Sequence, residues 1–446
     1  MKTRYRAEHF LPYDEERIIR HLERMAEKGW LLSSINKFFW IYRRIEPCTL
    51  KYGVTWCSGM SEYDSAPTEE QQLLWDYCKD GGWMPAAQSG QMQIMYTRDE
   101  EWTSLETDEA VRLEMIHQAM KKTYLPAILA GIMLAFISSW RICVSFMERP
   151  FNWLLSDANW ILLIALLLIG CHHLLRLSGY YLWYKKSEKC VSCGEPCVKI
   201  KRRGFVSGMC SSIGVGLLLW GMVVLVGVRV SLTFLLAAVV LVVFLECLKA
   251  VFRKLKIPKE ANQIFTVICF TVLFIVAVLG MVKWMVSSDA LDSDADRVFT
   301  AKDLPLVIED LREPKADEYF YELQEKESIF YHWLWGYQRL KEPVSTSDFS
   351  ENILEYRVVD IKIPLVYDLC LASFTDKKVL SGKSDRWQKI KNDNWGLDTM
   401  YQYIAEGNQD YIYVFCWEEC IVKLKFDWEP TAEQIQIAIK KLVYNQ

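Results

Sequence analysis

The chain has 446 residues, enough for about three domain-sized pieces, and its formal net charge is −4 at pH 7. A near-neutral balance gives no sign of nucleic-acid binding, so we expect no nucleic-acid partner. The fourteen cysteines are scattered and lack the spacing of a disulfide framework. The opening residues, MKTRYRAEHF, are polar and charged and lack the apolar core of a cleavable signal.

Residues 1–118 predict a water-facing α+β domain. Two segments, 13–30 and 68–83, have apolar residues at helical spacing, and each ends in a Gly-Trp pair. Strand-like runs surround them at 4–12, 36–44, 48–56 and 90–98. The order βαββαβ favours a ferredoxin-like sandwich, a fold that hosts many unrelated activities and therefore assigns none.

Three runs in the first hundred residues resemble a known family. They are YDEERIIRHLERMAEKGWLL at 13–32, FFWIYRR at 38–44 and LKYGV at 50–54. Together they resemble the start of a bacterial membrane-protein family of unknown function, whose members carry this soluble domain ahead of several transmembrane helices. Its members are often encoded beside PadR-like transcriptional regulators. The resemblance implies a regulatory setting and no catalytic residue, because the family has no established activity.

Five apolar stretches follow, and each has about the twenty residues needed to cross a bilayer core as a helix. They run approximately over 124–147, 158–183, 204–228, 230–252 and 264–286. We therefore predict a five-helix transmembrane bundle over 119–286, entered through a charged linker helix over 100–122. An acidic linker over 287–297 leads to the last domain. An odd number of crossings places the two water-facing domains on opposite sides of the membrane.

Loop charges predict the orientation of this bundle. Lys and Arg are in excess in cytoplasmic connections, and here they concentrate in two alternate connections, 184–203 and 253–259. The other two connections, near 148–157 and 229–230, are poor in positive charge. We therefore expect a multi-pass protein of the cell membrane, surrounded by lipid, with a cytoplasmic N-terminus and an extracytoplasmic C-terminus.

The centres of the apolar stretches hold almost no charge, which argues against an ion-coupled transporter. His172 and His173 in the second crossing are the exception, with a proton-sensing or metal role set against helix packing. The third crossing has small residues at four-residue spacing, as at Gly204 and Gly208, which lets helices approach closely. Such a face serves packing within the chain or a homo-oligomer, and the sequence leaves both open.

Cys190, Cys193 and Cys197 are the metal-ligand candidates. The C-x-x-C-G turn at 190–194 resembles one knuckle of a zinc site. The chain has no second C-x-x-C pair to complete a tetrahedral set. An oligomeric metal site, reversible thiol chemistry and a solvated basic loop therefore all stay open. No catalytic or cofactor-binding motif accompanies these cysteines, and we expect no cofactor.

Residues 298–446 predict a separate α+β domain. Strand-like runs end in a hairpin around Glu418 and Glu419, and a final amphipathic helix starts near Thr431. Residues 368–391 have a mixed pattern that predicts no element. Cys416 and Cys420 flank the hairpin turn, either as a disulfide or as buried thiols.

This layout, without a catalytic constellation, favours an integral membrane regulator or signal transmitter. The extracytoplasmic domain would sense a stimulus, and the cytoplasmic domain would bind another protein. An accessory subunit of a membrane transport complex has the same layout with a different partner. An enzyme would require converging His, Asp or Cys side chains that the sequence does not show.

Overall fold

The computed structural model of the chain describes most of its residues. They are 2–8, 10–36, 39–57, 60–61, 63–99, 102, 105, 108–199, 204–287, 298–313, 318–341, 353–375, 387–390, 399–403 and 411–443. The acidic linker predicted over 287–297 therefore lies almost wholly outside the described residues. The chain divides into two compact units, Met1–Ser139 with Ile164–Ser288, and Trp140–Leu163 with Asp289–Gln446.

The N-terminal part of the first unit repeats a strand–helix–strand–strand pattern. The first copy comprises β1 (Thr3–Arg6), α1 (Glu15–Glu27), β2 (Trp30–Ile35) and β3 (Trp40–Arg44). The second comprises β4 (Lys51–Trp56), α2 (Glu69–Asp80), β5 (Met84–Ser89) and β6 (Met92–Thr97). Each copy forms a three-stranded antiparallel sheet, in the orders β1-β3-β2 and β4-β6-β5. The edge strands β2 and β5 lie next to each other.

This repeat corrects the predicted order βαββαβ and, with it, the single sheet of a ferredoxin-like sandwich. Strands β2 and β5 are the two additional elements. The sequence did not predict them because WLLSSI and MPAAQS lack regular alternation of apolar and polar residues. Gly29 and Gly82 both have φ +78°, the left-handed conformation that ends a helix and that glycine adopts without strain. Each helix therefore stops where predicted, and a strand starts immediately afterwards.

The apolar face predicted for α1 is confirmed. Ile18, Leu22, Met25 and Ala26 are buried in the N-terminal core with Tyr42 of β3. Each fully buried side chain of the Leu or Ile type stabilises the fold by about 1.5–3 kcal/mol. The packing of α1 therefore holds the first sheet and its helix together.

Long apolar helices follow the N-terminal domain along the chain, and their residues 140–163 belong to the second unit. Helix α3 (Glu109–Ala119), a π turn (Met120–Tyr124) and α4 (Leu125–Glu148) run on without interruption, followed by α5 (Pro150–Leu154), α6 (Asp157–Ser192), α7 (Gly204–Lys254) and α8 (Lys259–Ser287). Among the described residues, four helices are long and apolar enough to cross a bilayer: Glu109–Glu148, Asp157–Ser192, Val206–Lys254 and Lys259–Gly280. The protein is therefore a multi-pass membrane protein.

Helix α7 combines the predicted third and fourth crossings. It has 51 residues, but its backbone leaves the helical conformation at Gly227, where φ is 79° and ψ is 165°. Only glycine adopts this region readily. The break lies at the boundary between the two predicted crossings, so the third apolar helix consists of two helical segments.

The second unit contains a seven-stranded antiparallel sheet in the order β10-β11-β12-β13-β9-β8-β7. Its strands are β7 (Tyr319–Glu327), β8 (Tyr331–Leu340), β9 (Leu354–Ile361), β10 (Trp387–Ile390), β11 (Thr399–Tyr403), β12 (Tyr411–Cys416) and β13 (Cys420–Phe426). Helix α10 (Ala432–Val443) packs against one apolar face, and α9 (Tyr367–Phe374) and α5 pack against the other.

Most predicted elements of this domain are confirmed, including the β12–β13 hairpin and the final helix. The segment 368–391, which predicted no element, contains α9 and β10 among its described residues. A 3-10 turn, Ile308–Asp310, precedes the sheet. Cys416 and Cys420 are both buried and are not joined in a disulfide.

Candidate functional site

Helix α1 meets α3, the end of α6 and the segment after it in the first unit. We call this region, residues 13–17, 109–117, 180–184 and 196–199, the N-terminal joint. It encloses a cavity of about 330 Å³ whose lining includes Glu15, Glu109, Arg112 and Lys199. The N-terminal domain thus contacts the membrane helices through a charged surface.

Arg112 is the centre of the ion pairs in this joint. Its Nη2 lies 2.9 Å from Glu15 Oε2 on α1, and its Nη1 lies 2.8 Å from Glu109 Oε1 on α3. Burial opposes the positive charge of Arg112, but the two carboxylates outweigh burial and raise its pKa. Arg112 therefore stays charged and joins α1 to the linker helix.

The segment after α6 is attached to the same network. The backbone N–H of Cys197 donates to Glu109 Oε2 over 3.0 Å, and Lys199 Nζ lies 2.6 Å from Glu16 Oε1. Burial tends to raise the pKa of Glu109, but the Cys197 N–H and Arg112 lower it overall. Glu109 is therefore an anion at neutral pH that connects α3 to the chain leaving α6.

Aromatic side chains complete the N-terminal joint. The Tyr13 ring stacks on Trp183 with centroids 5.2 Å apart, and Trp183 Nε1 donates to the carbonyl oxygen of Val198 over 2.9 Å. His117 Nδ1 and the Tyr180 hydroxyl share a hydrogen bond of 2.6 Å. These contacts pair residues of the N-terminal domain and linker helix with residues at the end of α6.

The three candidate metal ligands lie at or beside this joint. Cys190 is in the last turn of α6, and Gly194 with φ +76° follows the helix end, where the N–H of Glu195 donates to the Cys190 carbonyl over 2.9 Å. The C-x-x-C-G pattern therefore has a backbone role as a helix stop.

Cys197 is partly buried and lies beside the charged Glu109. Burial and the nearby Glu109 raise the pKa of Cys197 to about 12, so its thiol is protonated at neutral pH. A thiolate is the form that binds metal or attacks as a nucleophile. Within the described residues, which include Cys190 and Cys193, no group of three or more His, Cys, Asp or Glu is placed to hold a metal ion.

The second unit contains a different contact, which we call the C-terminal joint: residues 146–160, 328–331 and 370–374. The Phe151 ring stacks on Tyr331 at 5.0 Å, and the Tyr331 hydroxyl donates to the Phe151 carbonyl. Trp153, 5% exposed, packs edge-on against Trp160 at 4.7 Å. Asp157 Oδ1 accepts the backbone N–H of Ile329 over 3.1 Å. The connection between α4 and α6 is thus embedded in the apolar core of the C-terminal domain.

The histidines of the second crossing make packing contacts. His172 Nδ1 lies 2.9 Å from Ser207 Oγ on α7. The His173 ring lies so close to α4 that a Cβ at Gly131 would come within 2.5 Å of its Nε2. Gly131 is therefore needed for the approach of α4 to α6.

The small residues of α7 serve packing only in part. A Cβ at Gly214 would lie 3.0 Å from Ile169 on α6, whereas Gly208 and Gly216 have open space around them. Gly214 therefore allows close helix contact within the chain. Gly208 and Gly216 do not have this role.

Comparison with known proteins gave one match, to part of the chain. Residues 14–128 match a family model described as "Protein of unknown function (DUF2812)". The match covers α1 through the first turn of α4 and includes Glu15, Glu109 and Arg112. Together with the four apolar helices, it fits a membrane-protein family of unknown function. A search of curated proteins and a search of solved structures gave no match.

Proposed function

We propose that this protein is a membrane regulator that transmits a conformational signal between an extracytoplasmic C-terminal domain and a cytoplasmic N-terminal domain. The supporting observation is that the helix pair α4 and α6 is held at both ends, by the N-terminal joint at one end and by the C-terminal joint at the other. The N-terminal joint holds α3, which continues into α4, and the end of α6. The C-terminal joint holds the residues between α4 and α6. A shift of this helix pair would change contacts in both folded domains.

The proposal includes five membrane crossings, with two in α7. At 1.5 Å per residue, a straight 51-residue helix would span about 77 Å, whereas a bilayer core is about 30 Å thick. Lys199, five residues before α7, pairs with Glu16, and Lys249 near its end lies 5.6 Å from the Tyr63 ring. Both ends of α7 thus lie near one small domain, which supports a reversal at Gly227.

This arrangement also supports the orientation predicted from loop charges. Lys199 and Lys249 belong to or adjoin the two basic connections, and both contact the N-terminal domain. Since basic connections stay in the cytoplasm, the N-terminal domain would be cytoplasmic. Reporters that function only in the cytoplasm, fused to either end of the chain, test this topology. An active reporter at both ends would contradict it.

Helix α2 offers a surface for the expected cytoplasmic protein partner. Leu73 and Tyr77 lie one turn apart and are 70% and 73% exposed. Acidic side chains surround this apolar pair, among them Glu70 and Asp76. A partner surface with apolar and basic side chains would complement it. The PadR-like gene neighbourhood implied by the family resemblance fits such a regulatory role.

Hydrogen exchange in the full-length protein in nanodiscs tests the coupling. Arg112→Met removes the ion pairs with Glu15 and Glu109 in the N-terminal joint, and we expect faster exchange at residues 150–160 in the C-terminal joint. Arg20→Met serves as the control because Arg20 pairs only with Glu16 at an exposed site. Faster exchange confined to residues 13–17 and 109–117 would show that the helix pair transmits nothing.

The identity of the partner separates regulation from transport. A photo-crosslinking residue at 73 or 77 should capture a cytoplasmic protein, and the same residue at exposed Tyr5 should not. Capture of a regulatory protein supports the proposal. Capture of a transporter or channel subunit would favour the accessory-subunit alternative.

A further inference from the structure

A second cavity of the first unit, about 700 Å³, lies apart from the N-terminal joint. Its lining includes residues 60–61 and 64–67, the turn between β5 and β6 and the end of α7. On α7, Glu246, Lys249 and Arg253 contribute to the lining, and their spacing of three and four residues places them on one helix face. We call it the basic cavity.

The charges of this cavity are only partly balanced. Its lining has three cations, Lys249, Arg253 and Lys254, and two carboxylates, Asp64 and Glu246. Lys249 is 6% exposed, and its Nζ lies 2.9 Å from Glu246 Oε1. The side chains of Arg253 and Lys254 make no hydrogen bond or ion pair to other described residues. Their positive charge is therefore available to an anion.

A buried acceptor without a donor lies in the same lining. Gln71 is fully buried, and its Nε2 donates to Gln88 Oε1 and, over 3.2 Å, to Gln93 Oε1. These two acceptors orient the amide, and Gln71 Oε1 is left without a hydrogen-bond partner. An unpaired buried acceptor destabilises the folded protein. A hydroxyl group inside the cavity would satisfy it.

The place of the cavity in the chain indicates how a ligand would reach it. Arg253 and Lys254 directly follow the apolar stretch 230–252. Basic residues at the cytoplasmic end of a membrane helix lie at the depth of lipid phosphates, and basic pockets there bind anionic headgroups. A ligand with a phosphate, a hydroxyl and acyl chains in the bilayer matches each of these features.

We propose that the basic cavity binds an anionic phosphoglycerol lipid such as phosphatidylglycerol. The phosphate pairs with Arg253 and Lys254, and a headgroup hydroxyl donates to Gln71 Oε1. Such a lipid would link the N-terminal domain to the end of α7. This role does not depend on the signalling function proposed above.

Native mass spectrometry of the full-length protein in nanodiscs tests lipid binding. We expect phosphatidylglycerol to be retained about tenfold more than phosphatidylcholine. Arg253→Gln combined with Lys254→Gln should bring retention down to the phosphatidylcholine level. Lys256→Asn is the matched control, since it removes a charge from the same connection outside the cavity lining. Asn also suits the positive φ of 55° at that position.

Two further arms examine the chemistry of recognition. Gln71→Leu should abolish the preference for phosphatidylglycerol over phosphatidylmethanol, an anionic lipid without a headgroup hydroxyl, while both stay bound more tightly than phosphatidylcholine. Inorganic phosphate and glycerol 3-phosphate separate a lipid site from a site for free phosphate. Thermal stabilisation by either of them at the concentration that suffices for phosphatidylglycerol would overturn the lipid assignment.

Unchanged retention of phosphatidylglycerol in the double variant would also overturn the lipid assignment. An equal loss of retention in Lys256→Asn would do the same. Each variant is first compared with the wild type by thermal unfolding in lipid-free detergent. The comparison of the two lipids on the wild-type protein needs no variant and stands even when a substitution prevents folding. Equal retention of phosphatidylglycerol and phosphatidylcholine there would contradict the proposal.

Discussion

The two joints hold the same helix pair by opposite means. The N-terminal joint relies on Arg112, Glu15 and Glu109 around a cavity, whereas the C-terminal joint relies on the stacked or packed rings of Phe151 and Trp153. Ion pairs weaken as the salt concentration rises and when a change of pH neutralises one partner. The free energy of apolar burial depends little on either condition. The comparison indicates that the C-terminal joint is a firm attachment and that the N-terminal joint is the adjustable one.

Trp153→Ala should have the largest effect because it leaves a cavity in the firm joint. Truncation of a buried Trp costs about 3–5 kcal/mol. Thermal unfolding, monitored by hydrogen exchange at residues 146–160, measures the loss of stability. Trp140→Ala is the matched control, since Trp140 is 60% exposed, and it should change stability by no more than about 0.5 kcal/mol. Equal losses would remove the distinction between the joints.

Arg112→Met should cause a smaller loss of stability, which originates in the adjustable joint. It leaves Glu15 and Glu109 without their partner, and hydrogen bonds to charged groups contribute about 1.5–3 kcal/mol. Denaturant unfolding of the N-terminal domain at low and at 0.5 M salt should show a difference from the wild type that shrinks with salt. A difference independent of salt would mean that packing, not charge, holds this joint.

Tyr180→Phe sharpens the comparison within the N-terminal joint. It removes one hydrogen bond, to His117, and keeps the ring contacts, so a loss of about 1 kcal/mol is expected. Tyr181→Phe is the control because Tyr181 is 54% exposed. Thermal unfolding of both variants in detergent measures the difference. Losses of the same size would show that the His117 contact contributes nothing specific.

Glu109→Gln should have the smallest effect at neutral pH and a distinct pH profile. The pKa of Glu109 in the folded protein lies below its ordinary value of 4.5. The stabilisation by its charge is therefore complete above pH 4.5 and is lost as pH falls through the folded-state pKa. Melting temperatures from pH 3 to 7 should fall less steeply on the acidic side in Glu109→Gln than in Glu114→Gln, the control five residues further along α3. Parallel profiles would contradict a structural role for this carboxylate.

Local patterns were sufficient to predict much of this protein. Apolar stretches of membrane length, the amphipathic face of α1 and the hairpin β12–β13 each depend on neighbours in the chain, so composition and spacing identify them. Gly29 and Gly82 were recognised as helix stops for the same reason. The strands after them were missed because their pairing partners, and not their own alternation, make them strands.

The sequence by itself determined that helices cross a membrane between two folded domains. An apolar stretch in a bilayer must pair its backbone N–H and C=O groups within itself, and a helix does so without help from other parts of the chain. Only the tertiary structure decided which side chains form the joints. Arg112 meets Glu15 across 97 positions of the chain, and Tyr331 meets Phe151 across 180. No spacing rule reaches that far, since such contacts depend on how whole elements pack. The cavity between Gln71 and Arg253 has the same origin.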